Sequence, residues 1–472
     1  MISSLAELEE SVRGSCNSAN IPAIGLGISR GTKTLLSVIC GLADLERGLP
    51  ATEDTPFALA SVTKPMTATA LMMLAKEHLD RPVNYFLAGS TLTAKAGSAT
   101  QATLRRVADH SSGLHTYFRF YYADEGFERA PFDEVVERYG ILFTQPGERY
   151  HYSNLGYGLL DHVIEKLSGQ SYDAYMEAEL FEPLGMHNSF IGPPSDRSHA
   201  VSYGPDGVAY PQYDFDHPGG SAAYSSLTDL LRFGQFHLGH GPALLSVSDI
   251  ESMHTASSSV DATRGYGLGW GTNLDRLGLS VVQHTGSMGG VSSILRLVPE
   301  LDLTIAVVAN GQTDLPSRLA DEALASLLPD FRLKLIEERM QTQAPDMMPI
   351  AEELHGSWQG CVNTYEGDRE LELHVMDAST AIVRLCNGEH VVESPHMLQS
   401  RLVGVFDGSV WTDDAARRPY RLHLDLKREG NGLQGALLAM TNILNGGGGS
   451  PENRYGNALP YRVELKKKVP LV

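Results

Sequence analysis

Ser61-Val62-Thr63-Lys64-Pro65-Met66-Thr67-Ala68-Thr69-Ala70-Leu71-Met72-Met73-Leu74-Ala75-Lys76 is the stretch from which the rest of the chain can be read. Ala, Leu and Met favour helix, and proline is tolerated only in a first helical turn, so a buried helix is expected to start close to Ser61. At that start a hydroxyl and an amine stand three residues apart, on one face and within hydrogen-bonding reach. Serine is a poor nucleophile at its own pKa and needs a proton acceptor. A lysine enclosed by apolar neighbours has its ammonium form disfavoured and can serve. The helix amino terminus also points backbone N–H groups to where an oxyanion would develop. Taken alone, the pair has a plainer reading: Ser-x-x-Lys arises by chance about once or twice in a chain of this size, and Ser61 could simply cap a helix with Lys64 in solvent.

Around this segment, 472 residues call for two or three compact units, one large and one small fitting best. With 42% hydrophobic and 20% charged residues the composition is that of a folded soluble protein, not a disordered or fibrous one. The formal charge of −20 repels phosphate backbones and anionic membrane surfaces, so neither nucleic acid nor membrane is expected as a partner. The longest apolar stretch, near Ala68–Ala75, falls far short of the roughly 20 residues a spanning helix needs. The amino terminus, Met1-Ile2-Ser3-Ser4-Leu5-Ala6-Glu7, is acidic where a secretory signal is basic, which places the chain in the cytoplasm unless it has been processed. Cys16, Cys40, Cys361 and Cys386 are scattered without the paired spacing of a zinc or redox site. They read as four buried thiols, and neither metal nor cofactor is expected.

Leu5, Leu8, Val12 and Cys16 recur at helical spacing, and β-type runs Ile21–Ile28 and Thr34–Leu42 follow, joined by Arg30-Gly31-Thr32. Leu159–Leu167 and Leu227–Phe236 read as helices, Ser292–Val298 and Leu303–Ala309 as strands. Helices and strands thus interleave up to about residue 340, as in a mixed α/β (α+β) domain with an antiparallel sheet. Residues 341–353, with Pro345 and Pro349 and no clean period, read as a linker. Beyond it Leu371, Leu373 and Val375, then Leu422, Leu424 and Leu426, then Tyr461, Val463 and Leu465 alternate with polar residues. That is the mark of half-buried antiparallel strands, and residues 354–472 read as a small β-barrel. Gly446–Gly449 with Ser450-Pro451 reads as a mobile loop.

Two further motifs carry chemistry. In Tyr152-Ser153-Asn154, on a loop entering a helix, a tyrosine beside a lysine ionises more easily than its free pKa of about 10 suggests and can carry a proton. Asn154 offers an amide to hold Lys64 or a substrate carbonyl. His284-Thr285-Gly286-Ser287 follows a β-type run, and a strand edge with small residues can lie along an extended substrate and add a second oxyanion N–H. Asp109-His110 invites a Ser-His-Asp reading with Ser61, but the segment reads better as a buttress below the site. The aromatic run Tyr117, Phe118, Phe120, Tyr121 and Tyr122 after His115 is either core or the lining of an apolar substrate pocket, for which Tyr117 and Phe118 are the candidates. Tyr266 and Trp270 read as packing. Arg418, Arg421 or Arg462 could bind a substrate carboxylate, although charges alternating along a strand are more often its solvated face.

Ser61-Val62-Thr63-Lys64, Tyr152-Ser153-Asn154 and His284-Thr285-Gly286-Ser287, in this order, resemble the serine β-lactamase and penicillin-binding superfamily. The likeness is to its class C β-lactamase-like branch, with family VIII esterases, D-aminopeptidases, D-amino acid amidases and peptide-cyclising thioesterases. Phe57-Ala58-Leu59-Ala60, Asp109-His110-Ser111-Ser112-Gly113-Leu114, Phe181-Glu182-Pro183-Leu184-Gly185-Met186 and Gly219-Gly220-Ser221 fall in register with it, over roughly Leu5–Leu328. The resemblance implies that Ser61 is acylated, that Lys64 and Tyr152 shuttle the proton, that Asn154 steadies them, and that the N–H groups of Ser61 and Ser287 form the oxyanion hole. Thr285 and Gly286 would line the substrate. Many members carry lysine where this chain has His284, which argues against a dedicated β-lactamase. Gly356-Ser357-Trp358-Gln359-Gly360 resembles the start of lipocalin-like barrels, which in this branch cover the active-site mouth. The implied activity is hydrolysis or acyl transfer on a small-molecule or short-peptide substrate, D-residues included. A peptide cyclase and a β-lactam-acylated sensor are the alternatives, and the oligomeric state is left open.

Overall fold

The computed structural model describes residues 2–18, 21–95, 97–193, 197–341, 347–386, 388–441, 448–451 and 454–468. Its first part is built on a nine-stranded antiparallel sheet. In spatial order the strands are Ser258–Ser259, Arg264–Tyr266, Gly271–Arg276, Leu279–Met288, Val291–Val298, Leu303–Ala309, Ala23–Arg30, Lys33–Asp44 and Leu49–Pro50. Period-two alternation decides which face each residue covers. Ile24, Leu26 and Ile28 pack with Leu8 and Val12 of the Leu5–Ser18 helix and with Leu315 and Leu319 of the Leu315–Leu327 helix. Between them, Gly25 and Gly27 leave room on the other face for Leu227 and Leu231 of the Leu227–His237 helix.

Against that second face lies a helical layer. The Thr63–Ala75 helix is buried on nearly every side, which an all-round apolar sequence requires. It packs against Asn154–Ser168 and the short Pro218–Ser221 turn of helix. Ser153 caps the former by accepting from Gly156 N at 3.4 Å, and Gly169 ends it in a left-handed conformation.

The carboxyl-terminal part is a nearly closed antiparallel barrel of nine strands, from Gly356–Asn363 to Ala458–Lys467. The two strands at the ends of the sheet order, Gly388–Val391 and Glu393–Leu398, are consecutive in the chain. Leu371, Leu373, Leu422, Leu424, Leu426, Val463 and Leu465 point inward as their alternation requires, around Trp358, whose indole donates to Leu354 O at 2.8 Å. The Pro329–Gln341 helix reaches the expected linker, of which residues 342–346 lie outside the described ones. The two parts are closely joined. One apolar cluster contains both Leu71 and Leu424, and Phe118 pairs by backbone hydrogen bonds with Ala458 of the last barrel strand.

Two expectations need correction. Cys16 and Cys40 form a disulfide tying the first helix to the second strand, while Cys361 is half-buried and Cys386 exposed, so the cysteines are not four buried thiols. Such a bond is rare in a reducing compartment. Of the glycine run, Gly446 and Gly447 fall outside the described residues, whereas Gly449 and Ser450 donate to the Asp206 carboxylate at 3.2 and 3.4 Å. Those two residues are anchored, not loose. Among the described residues no helix is long and apolar enough to cross a membrane.

Candidate active site

Ser61 stands in a single turn, Ala60–Val62, just before the Thr63–Ala75 helix. Ala60 is held at φ 49°, a left-handed conformation that costs a non-glycine residue of order 1 kcal/mol or more and recurs where a side chain must be presented. Behind this turn, Gly286 lies so close that a Cβ there would fall 2.1 Å from Leu59 O, and Ser293 Oγ donates to the same carbonyl at 2.7 Å. The Leu279–Met288 strand is thereby held against the residues that carry Ser61. Its period two leaves Thr285 and Ser287 exposed on one side, with His284 and Gly286 buried on the other.

Lys64 Nζ lies 3.1 Å from Ser61 Oγ and donates to Asn154 Oδ1 at 2.6 Å and Gly220 O at 2.8 Å. Its side chain is fully buried, and burial pushes its pKa well below the ordinary lysine value. A neutral amine has two N–H bonds; the two carbonyl oxygens take both, leaving its lone pair for Ser61. Tyr152 donates from its hydroxyl to Ser61 Oγ at 2.8 Å, with Lys64 Nζ 4.7 Å from its ring centre. Burial raises the Tyr152 pKa, and the Ser61 contact offsets this only in part. The expected easily ionised tyrosine is therefore not what the structure holds: the resting phenol keeps its proton and donates it. Asn154 turns its Nδ2 to Tyr117 O at 3.1 Å, which fixes its oxygen on Lys64.

His284 does not touch Ser61. Its Nδ1–H is given to Thr285 O at 2.7 Å and its Nε2 lies 2.8 Å from the Tyr266 hydroxyl. Burial pushes its pKa down to about 3, so the imidazole is neutral. Tyr266, read from sequence as packing, is thus a partner of the third motif. With Tyr150, Tyr152, His284 and Thr285 it lines a cleft of 320 Å³ beside the strand edge. A tyrosine set between glycines, as in Gly265-Tyr266-Gly267, carries no signal of such a partnership.

Asp109 spends its carboxylate on Ser111 and Ser257, and His110 accepts from Ser153 N at 3.2 Å while its ring lies tilted against Tyr152, centres 4.4 Å apart. No relay reaches Ser61 from this pair. Tyr117 is not a pocket wall. Its ring is fully buried and its hydroxyl donates to Asp216 at 2.5 Å. Phe118 is half-buried, stacked on Tyr455 from the barrel. Phe118, Phe120 and Tyr122 of the aromatic run instead join an apolar cluster with Ala60, Met288 and Tyr455, while Tyr117 packs in the large core. Arg418 is engaged with Glu125 and Phe120 O, Arg421 with Asp407 and Glu393, and Arg462 with Phe143 O, Gln434 and Glu464. Among the described residues no cluster of His, Cys, Asp and Glu could hold a metal ion.

A family model described as Beta-lactamase matches residues 6–328. Penicillin-binding protein 4 of Amycolatopsis lactamdurans is 28% identical over 333 residues, which cover 63% of this chain and 85% of that one. Unguisins hydrolase ungD' of Aspergillus campestris is 25% identical over 359 residues, covering 71% of this chain and 66% of that one. Among solved structures, a crystal structure of SurE superimposes with a TM-score of 0.65 at 20% identity, over 98% of both chains. That likeness extends through the barrel.

Proposed function

The chain belongs to the beta-lactamase family, and from that premise we propose that it is a serine hydrolase working through an acyl-enzyme on Ser61. Its substrates are small peptides, amides or esters. The observation that carries this reading is the convergence of Lys64 Nζ and the Tyr152 hydroxyl on one serine oxygen, at 3.1 and 2.8 Å. The Ser61 proton passes to the neutral Lys64 amine as Oγ attacks the carbonyl carbon. The oxyanion faces the N–H groups of Ser61 and Ser287. Tyr152 gives its proton to the leaving amine or alcohol and is reprotonated from Lys64, so the acyl-enzyme forms with the amine neutral again. Water, activated by the same pair, then releases the acid.

The neutral His284 supports a substrate other than a β-lactam, since the cleft lacks an ammonium at the head of the third motif to draw in a β-lactam carboxylate. The name of the unguisins hydrolase supports hydrolysis as the outcome. D-residues on the acyl side are included in the proposal. Turnover of D- and L-aminoacyl amides, short-chain nitrophenyl esters, peptidyl thioesters and a chromogenic cephalosporin, with products read by mass, tests it. Hydrolysed amides or esters are expected. Efficient turnover of the cephalosporin alone contradicts the substrate class, and cyclic products from the thioesters contradict hydrolysis.

A further inference from the structure

Both acceptors that hold Lys64 Nζ depend on one buried carboxylate. Asn154, the first acceptor, is oriented by Tyr117 O, and the Tyr117 hydroxyl donates to Asp216 at 2.5 Å. Gly220 O, the second, closes a turn that starts at His217, with Gly220 N donating to His217 O at 2.9 Å. His217 itself gives its Nδ1–H to Asp216 at 2.8 Å. Tyr121 adds a third donor to Asp216 at 3.2 Å.

Asp216 is fully buried, and its cation is Arg119, with Nη1 3.9 Å away. Arg119 is equally buried, and Nη1 has no hydrogen-bond partner among the described residues. The guanidinium is held off Asp216 by a second carboxylate. Its Nη2 donates to Asp414 at 2.8 Å. Asp414 stands on the short Asp413–Ala416 helix of the barrel part, wholly buried, and also accepts from Arg138 at 2.9 Å and Tyr139 at 2.8 Å. Burial opposes its ionisation, but Arg119, Tyr139 and Arg138 hold its pKa below the ordinary value, so it carries its charge at neutral pH.

We propose that Asp414, supplied by the barrel, is a positioning residue for Lys64, acting through Arg119 and Asp216. While Asp414 shares Arg119, Asp216 stays free to accept from Tyr117 and His217 and the two acceptors of Lys64 remain in place. Without the Asp414 charge, Arg119 is left buried with Asp216 as its nearest anion, and that pair tightens at the expense of the tyrosine and the histidine. The inference rests on the reading of Lys64 as the base.

The test compares the full chain with Asp414→Asn, with Arg119→Met/Asp414→Leu, and with Arg462→Met, which breaks a different contact between the same two parts. Asp414→Asn is expected to lower kcat about 10-fold or more with KM changed less than about threefold, the pattern of a lost transition-state arrangement. The acid limb of its kcat profile moves to lower pH, because loss of well-placed carbonyl acceptors disfavours the Lys64 ammonium. The double variant, in which no buried cation competes for Asp216, recovers most of the lost kcat, a coupling a purely structural role would not give. Arg462→Met lowers Tm and leaves kcat as in the parent. A crystal structure of Asp414→Asn should show Lys64 Nζ parted from Asn154 or Gly220. Unchanged kcat, pH profile and Lys64 contacts in Asp414→Asn overturn the proposal. If Asp414→Asn does not fold, a double variant that folds but stays about 10-fold or more below the parent in kcat does the same. By contrast, a parent whose Ser61 acylation survives Lys64→Ala refutes the proposed base and leaves the distance criterion on Asp414→Asn to decide this inference by itself.

Discussion

At the scale of single residues, Lys64 and Tyr152 both hydrogen-bond Ser61, and the proposed mechanism makes the three one proton-transfer unit. Lys64→Ala and Tyr152→Phe should each lower kcat by about 10³-fold or more, and the double variant little further, since members of such a unit do not add. Steady-state kinetics on whichever ester or amide turns over checks this. The buried His284 makes a separate expectation about stability. Its folded pKa of about 3 lies below the ordinary value of 6.5, so between those limits the unfolded chain binds the extra proton. Stability therefore rises with pH across that window and is lost as pH falls from 6.5 toward 3. Urea titrations should show that His284→Gln removes about one proton from this dependence, a slope of about 1.4 kcal/mol per pH unit. An unchanged slope would mean that the imidazole is not neutral in the fold.

At the scale of elements, the Leu279–Met288 strand matters for how closely it approaches the nucleophile turn. Gly286→Ala would set a Cβ 2.1 Å from Leu59 O and 2.3 Å from Ser293 Oγ, both fixed by the Ser293–Leu59 hydrogen bond. The strand must move away, and a loss of about 2–4 kcal/mol with near-complete loss of activity is expected from calorimetry and kinetics. Much at this scale was legible beforehand. The Thr63–Ala75 helix, the Ala23–Arg30 and Lys33–Asp44 hairpin and the alternating barrel strands announced themselves by period and turn residues, because local burial alone dictates those patterns. The protonation of Tyr152 was not legible, since it depends on how completely residues distant in sequence enclose the ring. Nor was the fate of Tyr117 and Phe118. An aromatic run looks the same whether it lines a pocket or seals a joint, and here the partner, Ala458, lies at the far end of the chain.

At the scale of the whole molecule, the barrel and the first part share one apolar cluster and backbone hydrogen bonds. The boundary proposed between residues 341 and 353 separates two sheets but not two cores, for one apolar cluster spans both. Arg119 and Arg138 of the catalytic part both find their carboxylate on Asp414 of the barrel part, which a shortened chain would lack. A chain ending at Gln341 is therefore expected to aggregate or to melt well below the full protein, and to lose acylation. Size-exclusion chromatography and thermal melts would show it. A monomeric, fully active fragment would contradict that coupling.

The central claim, that Ser61 is a nucleophile activated by Lys64 and Tyr152, is most directly tested by labelling the full chain with a fluorophosphonate probe and mapping the adduct by peptide mass. The expected result is one adduct on Ser61, absent in Ser61→Ala and formed far more slowly in Lys64→Ala. No adduct, or an adduct elsewhere that persists in Ser61→Ala, would contradict it.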